Sequence, residues 1–278
     1  LLGGGTPSFG ILTSRGCPHA CSFCFKGVFG DRFRARSPGN VAEEWEYLAR
    51  EWHAGEIAVQ DDTFNFDMGR AVMVCRMIAE RGLNVPWSTP NGIRVDRVSE
   101  ELFRVMRESG CKRVAFGVES GSQEVLDSLG KRVTLEQVRN AFDMASRSGL
   151  ETMGFFMFGN IGENRGKMEE TIRFAVSLGP DYAQFTMATP YPGTGLFETA
   201  RREGRIIGGG WERYGHYTTR SFIRAGEITP ELLAREMRSA YRRFYIRPSW
   251  LAGYGTRRAS LSSLSGVLKG AWRLIGRG

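Results

Sequence analysis

The 278-residue sequence lacks any apolar run near the roughly 18 residues that a membrane-spanning helix requires, so it supplies no such helix. It also lacks a signal-peptide pattern, an internal repeat and a low-complexity block. Cysteine is scarce: the chain has five, and only three of them are clustered. Because disulfide-stabilised secreted domains are rich in cysteine, we expect a reduced, cytoplasmic protein.

What the sequence does contain is the composition of a globular protein, 41% hydrophobic and 24% charged, with 36 glycines. The length is sufficient for one barrel-sized domain or two smaller ones. The first five residues are Leu-Leu-Gly-Gly-Gly, a composition typical of linkers. We therefore expect residues 1–7 to be a linker that follows a missing upstream domain.

The formal net charge is +8, which raises nucleic acid or an anionic membrane as partners. The arginines are spread over the chain as far as Arg257, however, and no compact basic stripe with interleaved aromatic residues lies near the clustered cysteines. Solvated helix faces account for most of this excess, so we do not expect a nucleic-acid partner. A basic, metal-containing nucleic-acid-binding module remains the alternative from a different class.

The clustered cysteines are Cys17, Cys21 and Cys24, in a C-x3-C-x2-C pattern. Three thiolates so close together indicate a site for a soft metal. A structural zinc site needs four protein ligands, whereas three cysteines on a four-iron cluster leave one iron open for chemistry. The alternative is a zinc knuckle with His19 as fourth ligand, although His19 lies closer to the cysteines than the spaced pairs of zinc modules do. The isolated Cys75 and Cys111 are expected to be buried thiols.

This cysteine pattern, with Phe23 directly before Cys24, resembles the motif of the radical S-adenosylmethionine (SAM) superfamily. The resemblance implies a [4Fe-4S] cluster whose open iron is chelated by the amine and carboxylate of SAM, with Phe23 near the adenine. It also implies reductive cleavage of SAM to a 5′-deoxyadenosyl radical. An external electron donor of the flavodoxin or ferredoxin type would supply the electron.

Strand-like and helix-like segments alternate along the chain, as in βα units around a parallel sheet. The pattern predicts, among others, a helix over 41–53 with Asn40 as N-cap, a helix over 135–148 with Thr134 as N-cap, and a strand over 182–187. With the resemblance, the fold class is α/β: a partial (β/α)6 TIM-like barrel with a helical C-terminal extension. The radical SAM core spans residues 8–205 and the extension spans residues 206–278.

The resemblance also implies contacts to SAM at strand ends, where such barrels carry their reactive groups. Asp61 and Asp62 occupy the position of the glycine-rich motif that binds the methionine amine, and a carboxylate can pair with an ammonium group. Glu119 corresponds to the residue that holds the ribose hydroxyls, and Lys131 to a basic residue that pairs with the SAM carboxylate. Gly159 belongs to a late glycine-rich segment near the adenine. Adjacent aspartates can equally form an Asx turn, and Lys131 can equally be a surface lysine. No catalytic residue for the second substrate is identified.

Five phrases together resemble the cobalamin-binding class of the superfamily: residues 13–18, 60–64, 91–96, 116–122 and 190–194. That class includes radical methyltransferases and the anaerobic magnesium-protoporphyrin monomethyl ester cyclase. Cobalamin is thus expected to be bound mainly by a domain outside this chain, with methyl transfer or oxidative cyclisation of a small-molecule or lipid-like substrate. The runner-up is a cobalamin-independent enzyme that resembles a methylthiotransferase or a porphyrinogen oxidase.

The C-terminal tail, residues 257–278, combines apolar residues near helical spacing with positive charge only. A basic amphipathic helix with tryptophan is typical of an interfacial membrane anchor. We therefore consider peripheral contact with the inner face of the membrane, against the alternative of a helix that docks on protein. Two glycines, Gly266 and Gly270, lower the helicity of this segment.

Overall fold

The computed structural model describes residues 7–207, 223–224, 228–248 and 250–251. The chain divides into two compact units. The first comprises the chain up to Ala20, Phe25–Val118 and Val133–Gly154, and the second comprises Cys21–Cys24, Glu119–Arg132 and the chain from Phe155 onward. The expected linker before residue 7 and the tail from Arg257 lie outside the described residues.

The described elements alternate between strands and helices, as the sequence predicts. The strands are β1 (Ser8–Ile11), β2 (Ser14–Arg15), β3 (Arg34–Ala35), β4 (Glu56–Val59), β5 (Trp87–Ile93), β6 (Cys111–Glu119), β7 (Glu151–Phe158) and β8 (Tyr182–Met187). The helices are α1 (Pro38–Arg50), α2 (Met68–Glu80), α3 (Glu100–Glu108), α4 (Gln123–Ser128), α5 (Leu135–Arg147), α6 (Arg165–Leu178), α7 (Gly195–Arg202) and α8 (Pro230–Tyr245).

Six strands form one sheet in the order β1-β4-β5-β6-β7-β8. The pairs β1–β4, β4–β5 and β5–β6 are parallel, and consecutive strands of the sheet are connected through helices. This arrangement confirms the α/β class. Strands β2 and β3 form a separate antiparallel pair on either side of the cysteine loop, which the sequence analysis did not predict.

Aromatic side chains fill much of the core of the first unit. Trp45 of α1 and Trp87 of β5 are both fully buried, with ring centroids 5.6 Å apart in an edge-to-face arrangement. The predicted N-cap of α1 is wrong: the helix begins earlier, because Ser37 accepts a hydrogen bond from the Asn40 amide and Pro38 suits the first turn. The helix also ends earlier than predicted, at Arg50, so Trp52 lies beyond it and is 53% exposed.

In the second unit, helix α8 is joined to strand β8 by two tyrosine hydroxyls. The Tyr245 hydroxyl accepts from the Ala183 amide at 3.0 Å and donates to the Ala183 carbonyl at 2.8 Å. The Tyr241 hydroxyl does the same at Phe185, at 3.1 and 3.0 Å. These bonds satisfy one edge of the last strand in the sheet, which would otherwise expose unpaired backbone groups.

No helix among the described residues is both long and apolar enough to cross a membrane.

Candidate functional site

In the first unit, the two aspartates that follow β4 bind the segment leading into the cysteine loop. The buried Asp61 carboxylate accepts hydrogen bonds from the Thr13 amide at 2.6 Å and from the hydroxyls of Thr13 and Ser14 at 2.5 Å each. Asp62 accepts from the Gly16 amide at 2.8 Å. Both carboxylates therefore position the residues just before Cys17, a role that the sequence analysis did not foresee.

Gly16 is a position that only glycine fits. Its φ is +82°, and an added Cβ would lie 2.2 Å from the Arg32 carbonyl oxygen. The next residue, the half-buried Cys17, donates its amide to the Gly30 carbonyl at 3.3 Å. The loop that begins with Cys17 is thus fixed at its start by close backbone contacts.

A further polar group of the first unit was missed by sequence reasoning. The Arg94 guanidinium, at the end of β5, donates two hydrogen bonds to Asp96 at 2.7 and 2.9 Å. The side chain of Asn65 holds this segment by accepting from the Arg94 amide and donating to the carbonyls of Arg94 and Arg97. Arg94 therefore forms a buried ion pair at the end of a strand. Folds of this kind place reactive groups at strand ends. The only available signal was its place in the phrase at residues 91–96.

The second unit contains the other two cysteines. Cys21 is buried, Cys24 is exposed, and their thiols share a hydrogen bond. Backbone bonds hold the residue between them: the Ser22 amide donates to the Leu129 carbonyl at 2.9 Å, and the Ser22 carbonyl accepts from the Leu196 amide at 2.7 Å. The pKa of the Cys24 thiol is raised, first by the hydrogen bond with Cys21 and next by desolvation, while the charge of Lys131 lowers it.

Three of the predicted SAM contacts lie together in this unit. The Lys131 ammonium donates to the Glu119 carboxylate at 2.8 Å, and both side chains are buried. The same ammonium lies 5.8 Å from the centre of the Phe23 ring. The charges of Glu119 and Lys131 both act on Cys24, so the ion pair lies beside a predicted cluster ligand. Lys131 is therefore not a surface lysine.

The backbone at this ion pair is unusual. Glu119 has a φ of +68° and Arg132, next to Lys131, a φ of +53°, although neither is glycine. Such conformations cost about 1–2 kcal/mol each and are often found at functional sites. The loop after Glu119 is fixed by Gly121, whose added Cβ would lie 2.5 Å from the Phe174 Cβ. Close packing on α6 therefore maintains the strained end of β6.

Gly159, the remaining predicted contact, is held by a carboxylate. Its φ is +82°, and Glu163 accepts from the amides of Gly159 at 2.6 Å and Asn160 at 3.0 Å. Within the described residues, the Glu163 Oε1 and Asn160 Oδ1 atoms are buried without a hydrogen-bond partner. Ile161 of this loop packs on the same apolar cluster as Phe23.

The five cysteines fall into two groups that differ in sequence position and burial. Cys75 and Cys111 are completely buried, and burial raises the pKa of Cys75 to about 12 and that of Cys111 well above its usual range. Both are inert core thiols, as expected. Among the described residues, no group of three His, Cys, Asp or Glu side chains is arranged to hold a metal ion. The thiols of Cys21 and Cys24 are adjacent, and Cys17 is assigned as a ligand from its spacing in the sequence. All three cysteines therefore remain predicted ligands of a cluster.

Comparison with known proteins gives similarity to methyltransferases and to a cyclase. An uncharacterized methyltransferase of Pyrococcus horikoshii is 38% identical over 248 residues, which are 89% of this chain and 53% of that protein. The cytidylyl-2-hydroxyethylphosphonate methyltransferase of Streptomyces wedmorensis is 37% identical over 70% of this chain and 38% of its own length. The anaerobic magnesium-protoporphyrin IX monomethyl ester cyclase of Rubrivivax gelatinosus is 30% identical, with 86% and 42% covered. The chain spans about half, or less, of these relatives.

Solved structures show the same fold. The radical SAM methyltransferase TsrM from Kitasatospora setae, solved with cobalamin and a [4Fe-4S] cluster, has a TM-score of 0.64 at 22% identity, covering 71% of this chain and 37% of that chain. The cobalamin-dependent radical enzyme OxsB has a TM-score of 0.52 at 21% identity, with 60% and 26% covered. The fold class inferred from the sequence, that of radical SAM enzymes, is thereby confirmed. Residues 11–175 match the radical SAM superfamily, whose members use a [4Fe-4S] cluster and SAM, and the chain belongs to this superfamily.

Proposed function

We propose that this chain is the SAM-cleaving part of a cobalamin-dependent radical SAM enzyme. The observation that carries the proposal is the grouping, within the second unit, of two predicted cluster ligands with an aromatic ring and a buried ion pair. These residues are Cys21, Phe23, Cys24, Glu119 and Lys131. A core built only for stability gains little from a buried ion pair at a strained strand end.

Each residue has a role in the proposal. Cys17, Cys21 and Cys24 would each hold one iron of a [4Fe-4S] cluster, and that cluster would supply the electron for the reductive cleavage of SAM. Lys131 offers a cation to the carboxylate of SAM, and Glu119 offers hydrogen-bond acceptors to hydroxyl groups. Because these two side chains already pair at 2.8 Å, SAM would bind to an ordered site, and less free energy is lost in ordering them.

Anaerobic reconstitution with iron and sulfide tests the proposal. We expect about four irons per chain and 5′-deoxyadenosine formation when SAM and dithionite are added. Cys17→Ala, Cys21→Ala and Cys24→Ala should each lose the cluster. The matched controls Cys75→Ala and Cys111→Ala should retain it, since these thiols lie in the core. A colourless protein with stoichiometric zinc would contradict the proposal and support the zinc alternative.

The cobalamin-dependent subclass is supported by the cobalamin in the TsrM and OxsB structures. The names of the relatives support methyl transfer or cyclisation as the reaction. The test uses the longest natural protein that contains this chain. Binding of about one cobalamin, and product formation that requires it, would support the subclass. Product formation with no cobalamin bound would favour the cobalamin-independent alternative. Tight, steeply salt-dependent binding of random DNA or RNA without SAM turnover would favour the nucleic-acid module.

A further inference from the structure

The loop that follows Cys24 exposes apolar side chains to solvent. Val28 is 73% exposed, more than any other large hydrophobic side chain among the described residues, and Phe25 is 54% exposed. Both lie within four residues of Cys24, which is itself exposed. Exposed apolar side chains grouped in one loop often mark a site for a protein partner.

This exposure is built into an ordered loop. The Gly30 amide donates to the Lys26 carbonyl at 2.9 Å, and the Arg34 guanidinium donates to the Phe29 carbonyl at 2.8 Å. The Arg15 guanidinium lies 6.0 Å from the centre of the Phe29 ring. Bonds from both ends of the loop therefore hold its backbone, while Val28 remains in solvent.

The segment that contains these apolar residues is rich in positive charge. Residues 15–36 contain five basic side chains and a single acidic one, Asp31. Arg15, Arg32 and Arg34 are exposed, and Lys26 is half-buried. Exposed aromatic and arginine side chains in one segment are typical of a protein interface, and the positive charge favours an acidic partner.

We propose that this loop, residues 25–34 together with Arg15, docks an acidic one-electron carrier protein of the flavodoxin or ferredoxin type. The inference rests on the proposed function, which requires one electron for each SAM cleaved. The reduced carrier loses one electron, the cluster gains it, and no atom or proton is transferred in this step. The loop suits the transfer because it continues in sequence directly from Cys24, a predicted cluster ligand. Small apolar contacts with steering charges are typical of such transient encounters.

The test compares two loop variants with two matched controls elsewhere in the first unit. Val28→Asp and Arg32→Glu alter the loop. Met73→Asp on α2 and Arg139→Glu on α5 make the same changes at other exposed positions. All four are reconstituted, and their iron content is measured first.

Two readouts are then taken: the Kd of oxidised ferredoxin or flavodoxin at low salt, and the rate of 5′-deoxyadenosine formation with the reduced carrier or with dithionite. We expect both loop variants to raise the Kd and to lower the carrier-driven rate by at least about tenfold, with the dithionite-driven rate unchanged. The control variants should match wild type in every readout.

An unchanged Kd and carrier-driven rate in both loop variants would overturn the docking proposal. The proposal would also be overturned if the wild-type protein bound neither carrier. Binding of RNA or anionic vesicles through the same side chains, without carrier binding, would likewise overturn it. A failure of the proposed function is distinguishable, since it abolishes the dithionite-driven reaction of the wild type, while carrier binding still decides the docking surface.

Discussion

Replacing Glu163 by glutamine should change how the stability of the protein depends on pH. This carboxylate is only 4% exposed, between β7 and α6. Burial raises its pKa from 4.5 to about 7, against the lowering effect of the hydrogen bonds from the Asn160 and Gly159 amides and of the Lys167 charge. Its second oxygen has no hydrogen-bond partner in the described part of the chain, which is why the two amides do not fully offset the cost of burial.

The magnitude follows from proton linkage. Between pH 4.5 and 7 the unfolded chain releases a proton that the folded chain retains. The stability contributed by this group is therefore fully present below pH 4.5 and is lost as the pH rises through 7. At about 1.4 kcal/mol per pH unit the loss totals about 3 kcal/mol, of which about 2.5 kcal/mol falls between pH 5 and 8.

Glutamine does not titrate, so the Glu163→Gln variant escapes this loss. Its free energy of unfolding, minus that of wild type, should rise by about 2.5 kcal/mol between pH 5 and pH 8. Urea denaturation followed by circular dichroism measures the difference at each pH, and the exposed Glu80→Gln variant is the control for the amide itself. The exchange of one acceptor for another adds an offset that is the same at every pH. A difference that stays constant from pH 5 to 8 would refute the reasoning.

Three more variants test other contacts. Tyr245→Phe leaves the Ala183 amide and carbonyl without their partner, so urea denaturation should show a free energy of unfolding lower by about 1–3 kcal/mol. Asp61→Ala removes the acceptor of three buried hydrogen bonds before the cysteine loop. It should lower the free energy of unfolding by at least about 2 kcal/mol and reduce the iron content after reconstitution. Full iron content would contradict the positioning role. Lys131→Met leaves the buried Glu119 charge uncompensated and should lower the free energy of unfolding by about 3–5 kcal/mol. The double variant with Glu119→Gln should regain much of that stability but still bind SAM weakly in equilibrium dialysis.

The elements predicted well were those whose signals lie within a few residues. The strand over 182–187 coincides with β8, and the helix over 135–148 ends one residue later than α5 does. Its cap was also predicted correctly: Thr134 accepts from the Gln137 amide, and the Gln137 side chain accepts from the Thr134 amide. Alternation, capping residues and terminal glycines are local features, so the sequence displays them directly.

Contacts between distant residues were not predictable in the same way. Asp61 lies 48 positions from Thr13, and nothing near either residue indicates that one carboxylate accepts three bonds from the other segment. Arg94 and Asp96 are two positions apart in sequence, but the backbone of Arg94 is held by the side chain of Asn65, which is 29 positions away. Residue type and spacing narrow the candidates for a site, whereas the choice among their partners is made by tertiary packing.

The two tyrosines on α8 also fix the alignment of this helix with strand β8. Four residues of an α-helix advance about 6 Å and two residues of a strand advance about 6.7 Å, so hydroxyls one turn apart reach alternate residues of β8. Tyr241 bonds to Phe185 and Tyr245 to Ala183, so helix and strand run in opposite directions. A slip of α8 by a single residue would break all four bonds together. The pair therefore allows one alignment of helix and strand, and it occupies the backbone groups through which another strand could join that edge.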